Sequence, residues 1–553
     1  MFDRHYQVWP EGLPHHLTIP ETNLCTNLEV SARRYPNHDA IIFYDTRITY
    51  RQLDEEVEAL AGYLRHLGVG RGDRVLLDMQ NAPQFVIAYY AVLRAEAVVI
   101  PINPMNRTAE LRHYVQDTGA NVAVCGQELY AFMEPLLDDS GLRHVVVAAY
   151  GDYVREPTDL TLPDAVAAPR QHIEGAHVTL WTDALSAGHR PGPSTAGPDQ
   201  YAVFVYSSGT TGAPKGCVHT HRSVMAPCVG GTYWVTSTPE DVNLVSLPLF
   251  HVTGMQTGMN GSIFVGCTMV IMTRWDRRTA AEMIQRYRVT AWRNIVTMAI
   301  DMLSDPEIRS YDLSSLRGIG GGGAAMPEAV ESKLFDMTGL RYMEGYGLSE
   351  TMATTHVNPP DAPKPQCLGI PCFDVDSRVI DPESRAELGP GEVGEIIING
   401  PQVFQGYWNR PQETEAAFLD LDGKRFFRTG DLGYYDEEGY FFLVDRLKRM
   451  INASGFKVWP SEVESLMFDH PAIQEVCVIS APHARRGETV KAYVALEQGQ
   501  RGTVTEQEIL DWCRDNMSHY KCPQEVAFVD TLPHTPTGKL NWRQLQEREW
   551  EQA

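Results

Sequence analysis

The sequence predicts an α/β protein. A large N-terminal part is built of parallel-sheet subdomains covered by helices, and a small α+β part closes the chain. Three observations carry this. Helix-period and strand-period segments alternate over the first hundred residues. The strand segments are near-continuous apolar runs, as expected where both sheet faces are covered. The rhythm then changes near the C-terminus, where short capped helices are interleaved with apolar strands.

The elements follow in order. Thr49 and Gln52 have capping-box spacing, and Leu53, Val57, Leu60, Ala61 and Leu64 then fall on one helical face before Gly68. Arg74–Met79 reads as a strand. A helix over Pro83–Ala95 follows, with proline at its first position, and then the apolar run Ala97–Pro101. Residues from about 150 to 200 are rich in Pro, Gly, Ala and Asp and read as an irregular surface excursion. Tyr201–Tyr206 reads as an alternating strand, Thr279 with Glu282 as a helix start, Leu316–Ile319 as a short strand and Glu395–Ile398 as another. Further on, Ser461 with Glu464 is expected to cap a short helix. Val476–Ile479 and Lys491–Leu496 read as strands. Thr505 with Glu508 caps a helix carrying Ile509, Leu510, Cys513 and Met517. The seam is expected near Asp445–Lys448, giving domains over 1–445 and 446–553.

Composition narrows the function. The chain has 553 residues, 47 Lys+Arg and 71 Asp+Glu, a formal net charge of −24. An acidic body of this kind argues against nucleic acid as a partner, since phosphate neutralisation needs a basic face. A small anionic ligand is still allowed if its site is built locally from backbone N–H groups and a few cations. No signal peptide and no apolar run of membrane-spanning length is visible. The ten cysteines are scattered without a Cys-x-x-Cys pair, which reads as reduced, mostly buried thiols in a cytoplasmic protein. Cys217, His219 and His221 are close in sequence, but their spacing is poor for a metal site and a structural role is expected.

The local phosphate site is Ser207-Ser208-Gly209-Thr210-Thr211-Gly212-Ala213-Pro214-Lys215-Gly216, fed by the strand ending at Tyr206. Glycines permit close backbone approach, hydroxyls and N–H groups can surround phosphoryl oxygens, and Lys215 adds a point charge. It is not a Walker A loop: that pattern wants glycine at Pro214 and Ser/Thr at Gly216. It resembles instead the phosphate loop of the adenylate-forming superfamily, which includes acyl- and aryl-CoA synthetases, peptide-synthetase adenylation domains and firefly luciferase. Further segments in the family order extend the likeness over nearly the whole chain.

The resemblance implies roles for those segments. Gly320–Ala325, with Gly321, Gly322 and Gly323, lines the adenine and acyl sites. In Glu344-Gly345-Tyr346-Gly347-Leu348-Ser349-Glu350, Tyr346 packs on the adenine and Glu350 holds Mg²⁺, with Ser207 adding a further oxygen; a hard cation wants such ligands. Ser349 stands where the family more often has Thr. Asp431 accepts hydrogen bonds from the ribose hydroxyls, Arg446 also contacts the ribose, and Lys448 is the pivot of a mobile C-terminal cap. Gly455 faces the pantetheine tunnel after the cap rotates. Lys539, within Pro536-Thr537-Gly538-Lys539-Leu540, is the catalytic lysine between the carboxylate nucleophile and the α-phosphate. The family fold adds a β-barrel-like subdomain to the N-terminal part.

The activity so implied is that of an AMP-forming acyl-CoA synthetase using ATP, Mg²⁺ and CoA. The segment Pro248–Met255 matches the acyl-pocket lining, with His251 as a gate or wall beside the acyl carboxylate. Thr253, Met255, Met259, Gly322, Gly323 and Ala353 are further candidate walls. They are apolar or small, which favours an apolar monocarboxylic acid, leaning to a medium- or long-chain fatty acid. A homodimer is compatible with this reading. Two rivals are a free-standing enzyme loading a carrier-protein phosphopantetheine, which the absence of a carrier segment after Ala553 disfavours, and a non-catalytic nucleotide-binding relative. The joint retention of Lys215, Glu350, Asp431, Arg446 and Lys539 speaks against the latter.

Overall fold

The computed structural model describes residues 2–207, 214–323, 326–453, 456–483, 487–497, 499–535 and 540–551. The chain forms two compact units. The larger contains His5–Asp376 and Asn399–Arg425; the smaller contains Met1–Arg4, Ser377–Ile398 and Phe426–Ala553.

The larger unit holds a seven-stranded and a nine-stranded sheet. In the first, the strands run in the order Val178–Leu180, His144–Ala148, Val122–Gly126, Arg74–Asp78, Val98–Ile102, Tyr201–Ser207 and Lys215–Thr220. All neighbours are parallel except the last pair. The helix Tyr50–His66 begins with the capping box expected of Thr49 and Gln52. Its face Leu53, Val57, Leu60, Ala61 and Leu64 is at most 2% exposed, and each large apolar side chain so buried contributes about 1.5–3 kcal/mol. Pro83 opens the helix Pro83–Arg94.

The second sheet has the order Ile370–Pro371, Ala353–Val357, Tyr342–Leu348, Gly318–Gly322, Ala291–Asn294, Val242–Val245, Thr268–Ile271, Asp39–Phe43 and Thr46–Thr49. Its middle pairs are parallel, so Gly318–Gly322 and Tyr342–Leu348 bring their carboxyl ends to one edge. Gly321 is level with Glu344 there and Gly322 with Gly345. Ligands of open α/β sheets bind outside such carboxyl ends.

The strands Gly394–Asn399, Lys424–Tyr435 and Phe441–Arg446, most of whose residues belong to the smaller unit, run antiparallel. A second sheet joins Ile451–Ala453, Phe456–Val458, Ile473–His483, Gly487–Leu496 and Glu525–Phe528. The helix Glu506–Asn516 carries the capping box of Thr505 and Glu508 and buries Ile509 and Cys513 against this sheet.

Several local expectations are corrected. Tyr201–Ser207 does not alternate: Ala202, Val203, Phe204 and Val205 are all buried, as in a strand whose sheet is covered on both faces. The helix around Thr279 starts at Arg277, and Asp276 is its cap, its Oδ1 accepting from the Thr279 N–H at 2.8 Å. The strand expected over Leu316–Ile319 lies over Gly318–Gly322. The 150–200 stretch is not wholly superficial. Tyr150, Tyr153 and Trp181 are fully buried, and Val178–Leu180 adds an edge strand beside His144–Ala148. The helix Pro460–Met467 has no side-chain cap. The Ser461 N–H and hydroxyl instead donate to Asp445 Oδ2 and the Val444 carbonyl, and Glu464 pairs with Arg449.

All ten cysteines are free and nine are buried. His219 Nε2 lies 2.8 Å from the Ser349 carbonyl, and His221 Nδ1 accepts from the Leu24 N–H at 3.2 Å. Both imidazoles are therefore structural, and among the described residues no cluster of metal-ligating side chains occurs. Burial holds both in the neutral form, pushed down to about 4.

Candidate active site

The larger unit brings together side chains from three chain segments. Ser207 and Lys215 stand opposite each other on adjacent antiparallel strands. Ser208, Gly209, Thr210 and Thr211 lie outside the described residues. Lys215 pairs with Glu413, and its ammonium sits 5.0 Å from the centre of the Tyr407 ring, a cation–π contact.

Tyr407 was not singled out by the sequence. Its segment lies against the strand Lys215–Thr220: Val218 N–H donates to Gly406 O at 3.0 Å and Trp408 N–H to Gly216 O at 2.8 Å. This places the Tyr407 hydroxyl to donate to Glu350 Oε1 at 2.9 Å. Burial and the Glu350 charge push the Tyr407 phenol far up, so it stays a donor. The ring thus lies between Lys215 and Glu350, one cation and one anion assigned to the same ligand.

Glu350 sits in the short turn Ser349–Thr351 at the tip of a hairpin whose arms are Tyr342–Leu348 and Ala353–Val357. The turn is tight. Met352 and Ala353 both adopt positive φ, 49° and 74°, a conformation that costs non-glycine residues energy and persists where surroundings over-determine it. The Glu350 carbonyl accepts from the Phe404 N–H at 2.8 Å, and the Ser349 carbonyl meets His219, so the turn is tied to both neighbouring segments.

Tyr346 lies opposite His356 on the hairpin, with ring centroids 5.6 Å apart. Gly347 is required by packing: a Cβ there would come 1.5 Å from the Ala353 carbonyl oxygen. Gly321 is equally constrained, with the Asn294 carbonyl 1.8 Å from a would-be Cβ. The glycine run therefore serves sheet pairing as well as ligand approach. Glu344 is 6% exposed. Its two oxygens accept from the Met326 N–H at 2.6 Å and the Cys367 N–H at 2.9 Å, so its carboxylate anchors two loops. Desolvation nevertheless raises its pKa to about 7.

Four of the expected acyl-wall residues, His251, Thr253, Met255 and Met259, share one segment, whereas Gly322 and Ala353 come from the second sheet and Gly323 follows directly on Gly322. The chain from His251 runs into a π-helical turn, Gly254–Asn260, in which Met255 and Met259 are fully buried. Such turns insert an extra residue into a helix and recur at functional sites. His251 Nδ1 accepts from the Thr253 N–H at 3.4 Å and its carbonyl from the Met255 N–H at 2.9 Å. Ala353 is 5% exposed.

In the smaller unit, Asp431 and Arg446 face each other across antiparallel strands. Arg446 Nε is 2.8 Å from Asp431 Oδ1, and Asp431 is 1% exposed. Lys448 lies in the turn Leu447–Arg449. Gly455 and Lys539 lie outside the described residues.

These parts define a class: an α/β enzyme that holds a lysine and a carboxylate bridged by a tyrosine at the ends of its sheet strands, with a second, smaller α+β unit. Family models agree. Residues 28–408 match the model described as AMP-binding enzyme, and residues 462–539 match the AMP-binding enzyme C-terminal domain. The chain belongs to the AMP-binding enzymes, the adenylate-forming superfamily. It is 35% identical over 553 residues to a long-chain-fatty-acid–CoA ligase of Bacillus subtilis (strain 168), covering 98% of this chain and 97% of that one. It is 32% identical over 523 residues to a feruloyl-CoA synthase of an Amycolatopsis species, covering 94% and 97%. Among solved structures, ATP-bound MatB from Rhodopseudomonas palustris superposes with a TM-score of 0.84 at 28% identity, covering 96% of this chain and 99% of that one.

Proposed function

We propose that this protein is an AMP-forming acid–thiol ligase that activates an apolar, medium- to long-chain monocarboxylic acid and passes it to CoA. In the first half, a substrate carboxylate oxygen attacks the α-phosphorus of ATP and pyrophosphate leaves, giving an acyl-AMP. In the second, the CoA sulfur attacks the acyl carbon, the acyl–phosphate bond breaks and AMP leaves. The thiol proton departs to solvent.

The observation that carries this reading is the joining of Lys215 and Glu350 through Tyr407. Such a set binds a polyphosphate with its counter-charges already oriented. The donor set at Glu350 and Ser207 is all oxygen, which suits Mg²⁺; these residues would hold it, and it would neutralise phosphate charge. Lys539 is assigned the transition-state charge between carboxylate and α-phosphate by its motif. The buried Met255 and Met259 support an apolar acid, since no cation faces a second carboxylate among the named walls.

The test is a panel of carboxylic acids scored by CoA-dependent AMP release. Medium- and long-chain fatty acids should give the highest kcat/KM. Preference for aryl or dicarboxylic acids would overturn the substrate class. AMP release that needs an acyl-carrier protein in place of CoA would favour the carrier-loading reading.

A further inference from the structure

Lys215 does not wait in solvent for its ligand. Its ammonium is paired with the Glu413 carboxylate and lies on the Tyr407 ring. The side chains are 24% and 41% exposed, so the pair is half-screened by water. Pairs of this kind hold at most about 1 kcal/mol and yield readily to a stronger partner. Glu413 also has a second cation: Arg410 Nε lies 3.8 Å from Glu413 Oε1. Arg410 is itself anchored, its guanidinium 3.3 Å from Asp117 Oδ1, and Asp117 accepts from the Tyr206 hydroxyl at 2.6 Å.

This arrangement has a direction. If Lys215 leaves, Glu413 keeps Arg410 and is not stranded. Tyr407 cannot follow, because its hydroxyl is held by Glu350 and its N–H donates to Thr414 Oγ1 at 2.9 Å. Only the lysine, a point charge on a flexible four-carbon stem, is free to swing. We propose that Glu413 is the resting counter-ion of Lys215, a positioning residue that holds the lysine at the loop mouth and gives it up to the nucleotide phosphates. Nothing is transferred covalently; one ion pair replaces another. The charge of Glu413 therefore competes with the nucleotide for Lys215. This rests on the reading that Lys215 binds phosphate.

The experiment measures the Kd of a non-hydrolysable ATP analogue by calorimetry on the full chain, together with melting curves to confirm folding. Glu413→Gln, and Glu413→Ala as a second variant, should tighten binding about two- to five-fold, the range open to a half-exposed ion pair. The gain should vanish in a Lys215→Met background. The exposed Glu415→Gln, an equal change of charge two residues away, should leave Kd unchanged. Unchanged or weaker binding in both Glu413 variants overturns the proposal. So does a gain that persists without Lys215 or is matched by Glu415→Gln. A Lys215→Met protein with undiminished affinity removes the underlying reading of Lys215, and the proposal falls with it. A weakened Lys215→Met beside unimproved Glu413 variants overturns the proposal alone.

Discussion

Asp431 and Arg446 are cross-strand partners, their Cα positions in register and the guanidinium Nε 2.8 Å from the buried carboxylate. The pair orients Asp431 by charge, and the Arg446 side chain is 40% exposed. Asp431→Ala is expected to raise the KM for ATP about ten- to a hundred-fold, the range of one hydrogen bond to a charged group. ATP–pyrophosphate exchange measures it. An unchanged KM would remove Asp431 from the nucleotide site.

The turn carrying Lys448 is pinned at both ends. Asp445 accepts from the Ser461 N–H at 2.8 Å, and Arg449 pairs with Glu464 and donates to the Val478 carbonyl at 3.1 Å. For a cap to turn about Lys448, as the resemblance implies, the Asp445–Ser461 bond would have to break while Arg449 stays with the segment it is tied to. Lys448→Pro should therefore impair thioester formation from supplied acyl-AMP at least about ten-fold more than adenylation. Lys539→Ala should do the reverse, abolishing adenylation and largely sparing the second half. Each half is assayed separately. Equal losses in both halves for either variant would contradict this division of labour.

Tyr407→Phe removes one hydroxyl while keeping the ring under Lys215. The cost to stability is expected to be about 1 kcal/mol. The larger effect should be on Glu350, whose Oε1 loses its donor. The Mg²⁺ concentration giving half-maximal nucleotide binding should rise about three- to ten-fold, an effect of order 1 kcal/mol. Titration of nucleotide binding against Mg²⁺ reads this without turnover. A stability loss with no change in that titration would make Tyr407 merely structural.

Glu344 gives a pH signature. Its folded pKa is raised from 4.5 to about 7 by desolvation. A carboxyl shifted upward costs stability once the unfolded chain can ionise more easily than the folded one. The penalty is absent below about pH 4.5, grows through the window to about pH 7, and is full above it, reaching about 3 kcal/mol. Glu344→Gln should lose stability at low pH, where it disturbs two hydrogen bonds, and recover relative to the parent as pH rises. Melting temperatures from pH 5 to 8 check this. A difference that does not vary with pH would show that Glu344 titrates normally.

Much of this was legible because it is local. The capping boxes at Thr49 and Thr505 and the proline start at Pro83 depend on residues a few positions apart, and the structure has them as expected. Some errors are local, as where Asp276 rather than Thr279 caps its helix, and others come from a distant partner. Ser461 and Glu464 have capping spacing, but Asp445 and Arg449 compete for them. Tyr201–Ser207 alternates weakly in sequence, yet Ala202–Val205 are buried on both faces because the sheet is covered on both sides by parts of the chain remote in sequence. At the site, Ser207, Lys215 and Glu350 carry recognisable motifs. Tyr407 and Glu413 do not, since their importance comes from the segment at 404–410 lying against the strand Lys215–Thr220. The one hint, an aromatic residue immediately before Trp408-Asn409-Arg410-Pro411, by itself says nothing of Glu350.

The burial of the cysteines has a consequence for an enzyme whose second substrate is a thiol. Desolvation pushes nine of the ten side chains upward, among them Cys25, Cys125, Cys217, Cys228, Cys267, Cys372 and Cys477. Disulfide exchange needs a thiolate that can reach its target. Buried thiols held in the neutral form are poor partners for oxidised CoA, so their capping by it is disfavoured.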